Sequence, residues 1–275
     1  MYGKNMMQRV LETDLTYIGE WDTNDEGIYI KSGKGELTSP NGDKFVGIFD
    51  DEYAKGIITY ADGSIYNGSI DADKGLINGN GKYVGPDGNT YEGEFKSGKP
   101  HGQISYTGKE FSFTGTAAND MWHGNGQIKW KNGAKYIGAF RDGAFHGYGK
   151  YIYEEDNLYY SKYEGEYRDG KVTGIGNYYD KEDRLIYSGE LKNAIKDGYG
   201  VDIFYFEDGS IWRYVGDFKD NKYHGKGKLI FSNGDFYEGD FISDKRTGRG
   251  VLSELDRVTS GYFVDGVLQG RANVT

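Results

Sequence analysis

The run Tyr237-Glu238-Gly239-Asp240-Phe241, taken with His224-Gly225-Lys226-Gly227-Lys228-Leu229-Ile230-Phe231-Ser232-Asn233-Gly234 before it, decides the fold. In the first piece Tyr237, Gly239 and Phe241 alternate with charged residues. A period of two marks a strand with one buried face. In the second piece Gly225, Gly227, Leu229 and Phe231 alternate against Lys226, Lys228 and Ile230. Asn233-Gly234 then offers the positive φ values that a tight turn between antiparallel strands needs. Each unit reads as strand, turn, strand, turn.

Copies of the first piece recur at Tyr17/Gly19/Trp21, Phe45/Gly47/Phe49, Tyr66/Gly68/Ile70, Tyr91/Gly93/Phe95, Tyr136/Gly138/Phe140, Tyr163/Gly165/Tyr167, Tyr187/Gly189/Leu191 and Tyr214/Gly216/Phe218. Weaker copies start at Phe113/Gly115 and Gly261/Phe263. The spacing is 23 residues from Tyr214 to Tyr237, and 27 from Tyr136 to Tyr163 and from Tyr187 to Tyr214. Self-similarity at this period means a repeat architecture.

The pattern Tyr-Glu-Gly-Asp-Phe, then Gly-x-Gly-x-Leu-x-aromatic, then Asn-Gly, resembles the MORN repeat (membrane occupation and recognition nexus), over roughly residues 17–270. The resemblance implies adaptors and organisers of cytoskeletal or membrane-associated assemblies, and homodimers joined through terminal repeats. Three places depart from the pattern. Ala54 stands where the first glycine of a pair belongs, Ile104 replaces a second glycine, and the copy around 202–213 carries extra residues.

The expected fold is all-β: an elongated single-layer solenoid of antiparallel β-hairpins, about ten to eleven repeats of about 23 residues, over 17–275. A one-layer sheet with an exposed aromatic face would aggregate, so the ribbon is expected to curl into a twisted half-pipe. Glycine pairs such as Gly225/Gly227 and Gly248/Gly250 would let rings lie over bare backbone, leaving part of the aromatic lining open as a groove. Residues 1–16, with Met7, Val10, Leu11 and Leu15, read as a short helix or cap over the first edge. Lys99-Pro100-His101 is expected to interrupt a strand or turn. Three extended turns, around 153–162, 180–186 and 202–213, should share one edge and are both acidic and aromatic.

The 275 residues carry a net charge of −10, with Gly 45, Tyr 26, Pro 3 and a 36% hydrophobic fraction. The charge argues against nucleic acid, which wants a basic stripe, and disfavours anionic lipid. Cys 0 removes disulfides and thiolate metal sites. With no membrane-length apolar run and no signal-peptide core, the expected location is cytoplasmic, with cytoskeletal or membrane association implied by the resemblance.

No copy of Gly-x-Gly carries the third glycine of a dinucleotide loop. His101, His123, His146 and His224 each precede a repeat glycine and read as structural positions, not metal ligands. Carboxylates such as Glu92/Glu94 and Glu164/Glu166 read as a solvated face. No catalytic set, metal site or cofactor site is expected. The functional content lies in aromatics beyond the repeat's needs: Tyr159, Tyr160, Tyr205, Phe206, Trp212 and Trp122, anchors for a partner helix or peptide. The reading is a non-enzymatic protein-interaction scaffold. A lipid-binding alternative would use Lys226, Lys228, Lys245, Arg246 and Arg249, with Lys219 and Lys222 nearby. A carbohydrate-binding repeat ranks below both.

Overall fold

The structure is a computed structural model that describes residues 14–255 and 257–274. It falls into two compact units, residues 1–144 and 145–275. Every regular element among the described residues is a strand. The first unit holds Thr16–Thr23 (β1), Tyr29–Thr38 (β2), Lys44–Asp50 (β3), Tyr53–Thr59 (β4), Ile65–Asp71 (β5), Leu76–Val84 (β6), Thr90–Lys96 (β7), Lys99–Thr107 (β8), Phe111–Ala118 (β9), Met121–Trp130 (β10) and Lys135–Arg141 (β11). The second holds Ala144–Ile152 (β12), Lys162–Arg168 (β13), Lys171–Tyr179 (β14), Leu185–Lys192 (β15), Ile195–Tyr205 (β16), Ile211–Lys219 (β17), Lys222–Ile230 (β18), Phe236–Ile242 (β19), Lys245–Glu254 (β20), Arg257–Val264 (β21) and Val267–Val274 (β22). Within each unit every strand pairs antiparallel with the next in sequence.

One glycine per strand lines up across the pairing in β1–β7 and β9–β21. In the second unit the ladder runs Gly149, Gly165, Gly176, Gly189, Gly200, Gly216, Gly227, Gly239, Gly250, Gly261. The repeat tyrosine folds over two of these glycines. A Cβ added to Gly250 would stand 2.5–2.7 Å from the ring atoms of Tyr237. The hydroxyl donates to the carbonyl three residues on: Tyr66 to Ser69 (3.0 Å), Tyr136 to Ala139 (2.9 Å), Tyr187 to Glu190 (2.7 Å), Tyr214 to Asp217 (2.8 Å) and Tyr237 to Asp240 (3.2 Å). Four of these rings also meet the aromatic of the next repeat edge-on: Tyr66–Phe95 (5.6 Å), Tyr187–Phe218 (5.5 Å), Tyr214–Phe241 (5.2 Å) and Tyr237–Phe263 (5.0 Å). A ring buried this way contributes roughly 1.5–3 kcal/mol. Tyr187→Phe is therefore expected to cost only about 1 kcal/mol at neutral pH, measured by urea unfolding, because the ring stays and one hydrogen bond goes.

The two glycines of a pair serve different ends. The first is a bulge residue, with Gly225 and Gly248 both at φ +59°. After Gly216–Gly227 the ladder resumes at Asp217–His224, so two residues of β18 have no partner in β17. The carboxylate opposite takes one freed amide. Asp217 accepts from Lys226 N–H (3.1 Å), Asp240 from Arg249 (3.1 Å) and Glu190 from Tyr199 (3.0 Å). These acids are thus partly structural, not only a solvated face. Glu166 accepts from Ile175 N–H (3.4 Å), while Glu164 pairs with Lys150 (2.9 Å).

Both departures in the first unit have a physical account. The β3–β4 ladder runs unbroken from Gly47–Gly56 to Asp50–Tyr53. With no bulge there, no positive φ is needed, and Ala54 packs in the core. Ile104 occupies the ladder between Gly93 and Gly115 and is buried. In this hairpin Tyr91 lies against Tyr106 (4.8 Å). Pro100 sits inside β8 opposite Phe95 and does not interrupt the strand.

The turns differ from the expectation. Asn233-Gly234 belongs to a longer loop: Phe231 C=O accepts from Gly234 N–H (3.0 Å) and Phe231 N–H donates to Asp235 C=O (2.9 Å). Only Gly234 is left-handed there, at φ +89°. The two-residue turns close the other ends of the hairpins, where both residues are left-handed, as at Asp220-Asn221 (φ +50° and +66°) and Ser243-Asp244 (φ +49° and +71°). Of the expected cap, Met7, Val10 and Leu11 lie outside the described residues, and Leu15 is half-buried against the first unit's core.

Candidate functional site

The expected partner residues separate by unit. Trp122 is 2% exposed in the first unit, stacked on Phe113 (4.2 Å, 7°) and edge-on to Phe140 (5.9 Å). It is a core residue, not an anchor. Its slot is equivalent to that of Tyr223, which stacks on Tyr214 (3.7 Å, 9°). The sequence carries the signal, because Trp122-His123-Gly124, Phe145-His146-Gly147 and Tyr223-His224-Gly225 are one motif.

The other five lie along one rim of the second unit, where the long-spaced copies fall. Those copies lengthen in different ways. Between β12 and β13 the loop itself is long, closed by Tyr153 N–H on Ser161 C=O (2.9 Å). Between β14 and β15 the loop is ordinary, closed by Asp180 N–H on Arg184 C=O (3.0 Å), and one extra residue is absorbed as a bulge after Tyr178–Tyr187. Between β16 and β17 the strands are longer, adding Ile203–Arg213, Phe204–Trp212 and Tyr205–Ile211 beyond Asp202–Tyr214.

Side chains tie these segments together. Asn157 accepts from the amides of Tyr159 (3.0 Å) and Tyr160 (2.8 Å). Lys181 Nζ donates to the Glu155 carbonyl (2.9 Å), and Lys162 pairs with Asp183 (2.6 Å), holding that carboxyl below its usual range. Arg184 lies 4.4 Å over the Tyr205 ring while Asp180 holds its Nε at 2.7 Å. Tyr160 packs on Tyr178 (4.9 Å) and Tyr153 (5.7 Å). Trp212 stands between Phe206 (4.9 Å) and Phe231 (4.9 Å).

A cleft of about 270 Å³ opens in this rim, lined by Tyr160, Tyr178, Arg184, Asp202, Phe204 and Phe206 among others. Asp202 is buried in its wall and paired with Lys196. Burial pushes its carboxyl upward, opposed by the Lys196 charge. Around the cleft Tyr159 is 70% exposed, Phe206 42%, Phe204 40% and Trp212 38%. Tyr160 and Tyr205 are half-buried.

A larger groove, about 1250 Å³, crosses β16–β21 on the face opposite the buried rings. Its floor is the glycine ladder, and its walls include Tyr199, Val215, Val251 and Tyr262. The repeat tyrosines do not line it. The expected lipid set lies nearby but is largely engaged: Lys226 with Asp240 (2.5 Å), Lys228 with Glu238 (2.9 Å), Lys245 with Asp265 (3.1 Å), and Arg246 over Tyr237 (5.4 Å). Arg249 lines the groove.

His123 and His146 each face a turn aspartate, Asp142 (3.8 Å) and Asp169 (3.6 Å) respectively. Among the described residues no three His, Cys, Asp or Glu side chains converge as metal ligands. Among them, too, no helix is long and apolar enough to cross a membrane.

Hairpins that repeat one glycine ladder and one ring-over-glycine contact define a single-layer β-repeat protein. The MORN repeat family matches at residues 30–44, 73–90, 91–103, 113–135, 136–157, 163–181, 187–211, 214–236 and 237–253, and the chain belongs to it. The unmatched stretch 45–72 holds the unbulged hairpin with Ala54. Another gap, 104–112, begins at Ile104. The MORN repeat is a non-enzymatic module of protein- and membrane-binding arrays.

Proposed function

We propose that this chain is a non-enzymatic scaffold that holds a helix or peptide of a protein partner on the aromatic rim of its second unit. The observation that carries the reading is the exposure of Phe206 at the cleft, of Tyr159 beside its wall residue Tyr160 (6.3 Å) and of Trp212 beside Phe206 (4.9 Å), outside the Tyr–Gly–Phe packing that buries the repeat's own rings. Large aromatics at a surface cleft are the usual anchors of protein interfaces. The membrane reading has less support, because four of its five cations are already engaged within the array.

Replacing Tyr159, Phe206 and Trp212 together by serine is expected to leave the strand circular dichroism unchanged. It should lower capture of the native partner by roughly tenfold to a hundredfold, read by affinity purification from the source cell and mass spectrometry. Undiminished capture would remove the rim from the reading. Flotation with anionic vesicles at low salt is expected to leave the chain unbound.

A further inference from the structure

The rim around the cleft carries more acidic than basic side chains. Glu154, Glu155 and Asp156 stand on the loop before Tyr159, and Glu207 and Asp208 close the hairpin beside it. Among the described residues none of these five carboxylates has a basic side chain within ion-pair distance. Lys181 reaches the backbone of Glu155, not its carboxylate. Of the neighbouring cations, Lys162 is committed to Asp183 (2.6 Å) and Arg184 to Asp180 (2.7 Å) and Glu182 (3.0 Å), while Lys181 keeps its contact to the Glu155 carbonyl (2.9 Å).

Inside the cleft the charges cancel, Asp180 and Asp202 against Arg184 and Lys196. An apolar side chain entering it therefore meets ring faces and no net charge. At about 270 Å³ the space suits one side chain, since a drug-sized ligand needs more. The surface also contains an example of what suits its margin. Arg184 stacks on Tyr205 with an acid at its edge. A guanidinium is planar, always charged and weakly hydrated, and so stacks on rings better than an ammonium does.

Resting on the scaffold reading, we infer that the partner segment held at this rim is arginine-rich. One large apolar side chain seats between Tyr160, Tyr178 and Phe204. Its flanking arginines lie over Tyr159, Phe206 and Trp212, against the five carboxylates that have no ion pair. The chain's net charge of −10 steers such a segment inward.

The test uses the full chain and a labelled short peptide with one phenylalanine flanked by arginines, followed by fluorescence anisotropy. Binding is expected at low salt, several-fold weaker with lysine for arginine and absent with glutamate. It should weaken about tenfold with alanine for phenylalanine. Combining Glu154→Gln, Glu155→Gln, Asp156→Asn, Glu207→Gln and Asp208→Asn is expected to weaken binding about tenfold. Neutralising as many exposed acids in the first unit, Asp22, Asp25, Glu26, Asp51 and Glu52, should leave affinity unchanged. Equal losses from the two sets, or indifference to arginine against lysine and glutamate, would overturn the inference. If native-partner capture falls with the serine variants but survives neutralisation of the rim, the scaffold reading stands and the arginine-rich partner does not.

Discussion

Gly250→Ala is expected to cost about 3 kcal/mol or more, and more than alanine at Gly248 or Gly234. The added Cβ stands 2.5 Å from the Tyr237 hydroxyl and 2.6 Å from Cε2. Neither can give way cheaply. The ring is fully buried, walled by Phe241 (5.2 Å) and Phe263 (5.0 Å), and its hydroxyl is held by the carbonyls of Asp240 and Thr247, both at 3.2 Å. At Gly248 the obstacle is the flexible Asp240 carboxylate, so the cost is the φ of +59° plus the weakened bond to Arg249 N–H, about 2 kcal/mol. Gly234 has open space around it, and alanine there meets only the left-handed backbone, about 1–2 kcal/mol. Because a repeat array unfolds in parts, the ranking is best read by urea unfolding together with amide exchange in β19 and β20. Repeating Gly250→Ala in a Tyr237→Leu chain should return much of the cost. An unchanged penalty would show that the ring over the glycine is not its source.

That ranking also marks how far the sequence could be read. Alternation at Tyr237, Gly239 and Phe241 suffices to give strands, their buried face and the repeat, because side-chain period reports directly on a pleated backbone. Gly225 and Gly227 sit two apart and look like the same position met twice. Spacing does not show that one is bare to admit a ring and the other is left-handed to make a bulge, since both demands select glycine. Asn233-Gly234 misled for a related reason. Asn-Gly suits a two-residue turn, but it suits equally a longer loop that ends on a left-handed glycine. The true two-residue turns carry Asp-Gly at 142–143, 169–170 and 265–266, but elsewhere Asp-Asn, Ser-Asp and Asn-Ala pairs that a search for Asn-Gly or Asp-Gly passes over, with Asn193 at φ +52° and Ala194 at +63°.

The candidate site was legible in its residues and not in its form. Two spacings of 27 look alike in the sequence, yet one is a long loop and the other a longer pair of strands. Only the latter carries Phe204 and Trp212 out along the rim as a cross-strand pair. Trp122 fills the core slot that Tyr223 fills in a later repeat, which aromatic content alone does not show but the motif before the bulge glycine does. Cancellation of charge inside the cleft was beyond reach, since Lys196 meets Asp202 only through a bulged hairpin.

Alkaline unfolding supplies the second large effect. Burial raises the hydroxyl pKa of Tyr66, Tyr136, Tyr163, Tyr178, Tyr187, Tyr214 and Tyr223, and pushes Tyr91 up to about 12. In the unfolded chain tyrosine loses its proton near pH 10. Below that pH both states keep the proton and stability is complete. Above it the unfolded chain ionises while the folded chain does not. Each such ring then removes roughly 1.4 kcal/mol per pH unit until its own folded value is reached. Tyr163, Tyr178 and Tyr187 follow one another in contact (4.9 and 6.4 Å), so a local opening of these hairpins gains roughly 4 kcal/mol per pH unit. Strand circular dichroism is expected to collapse steeply above about pH 10, with a matching step in phenolate absorbance. Tyr187→Phe gives the sharper check. It loses about 1 kcal/mol at neutral pH but has no proton to lose, so it should equal the parent near pH 11 and exceed it beyond. Phenolate absorbance that rises fully while the strand signal persists would contradict the burial of these hydroxyls, and a Tyr187→Phe curve parallel to the parent would contradict it for that ring.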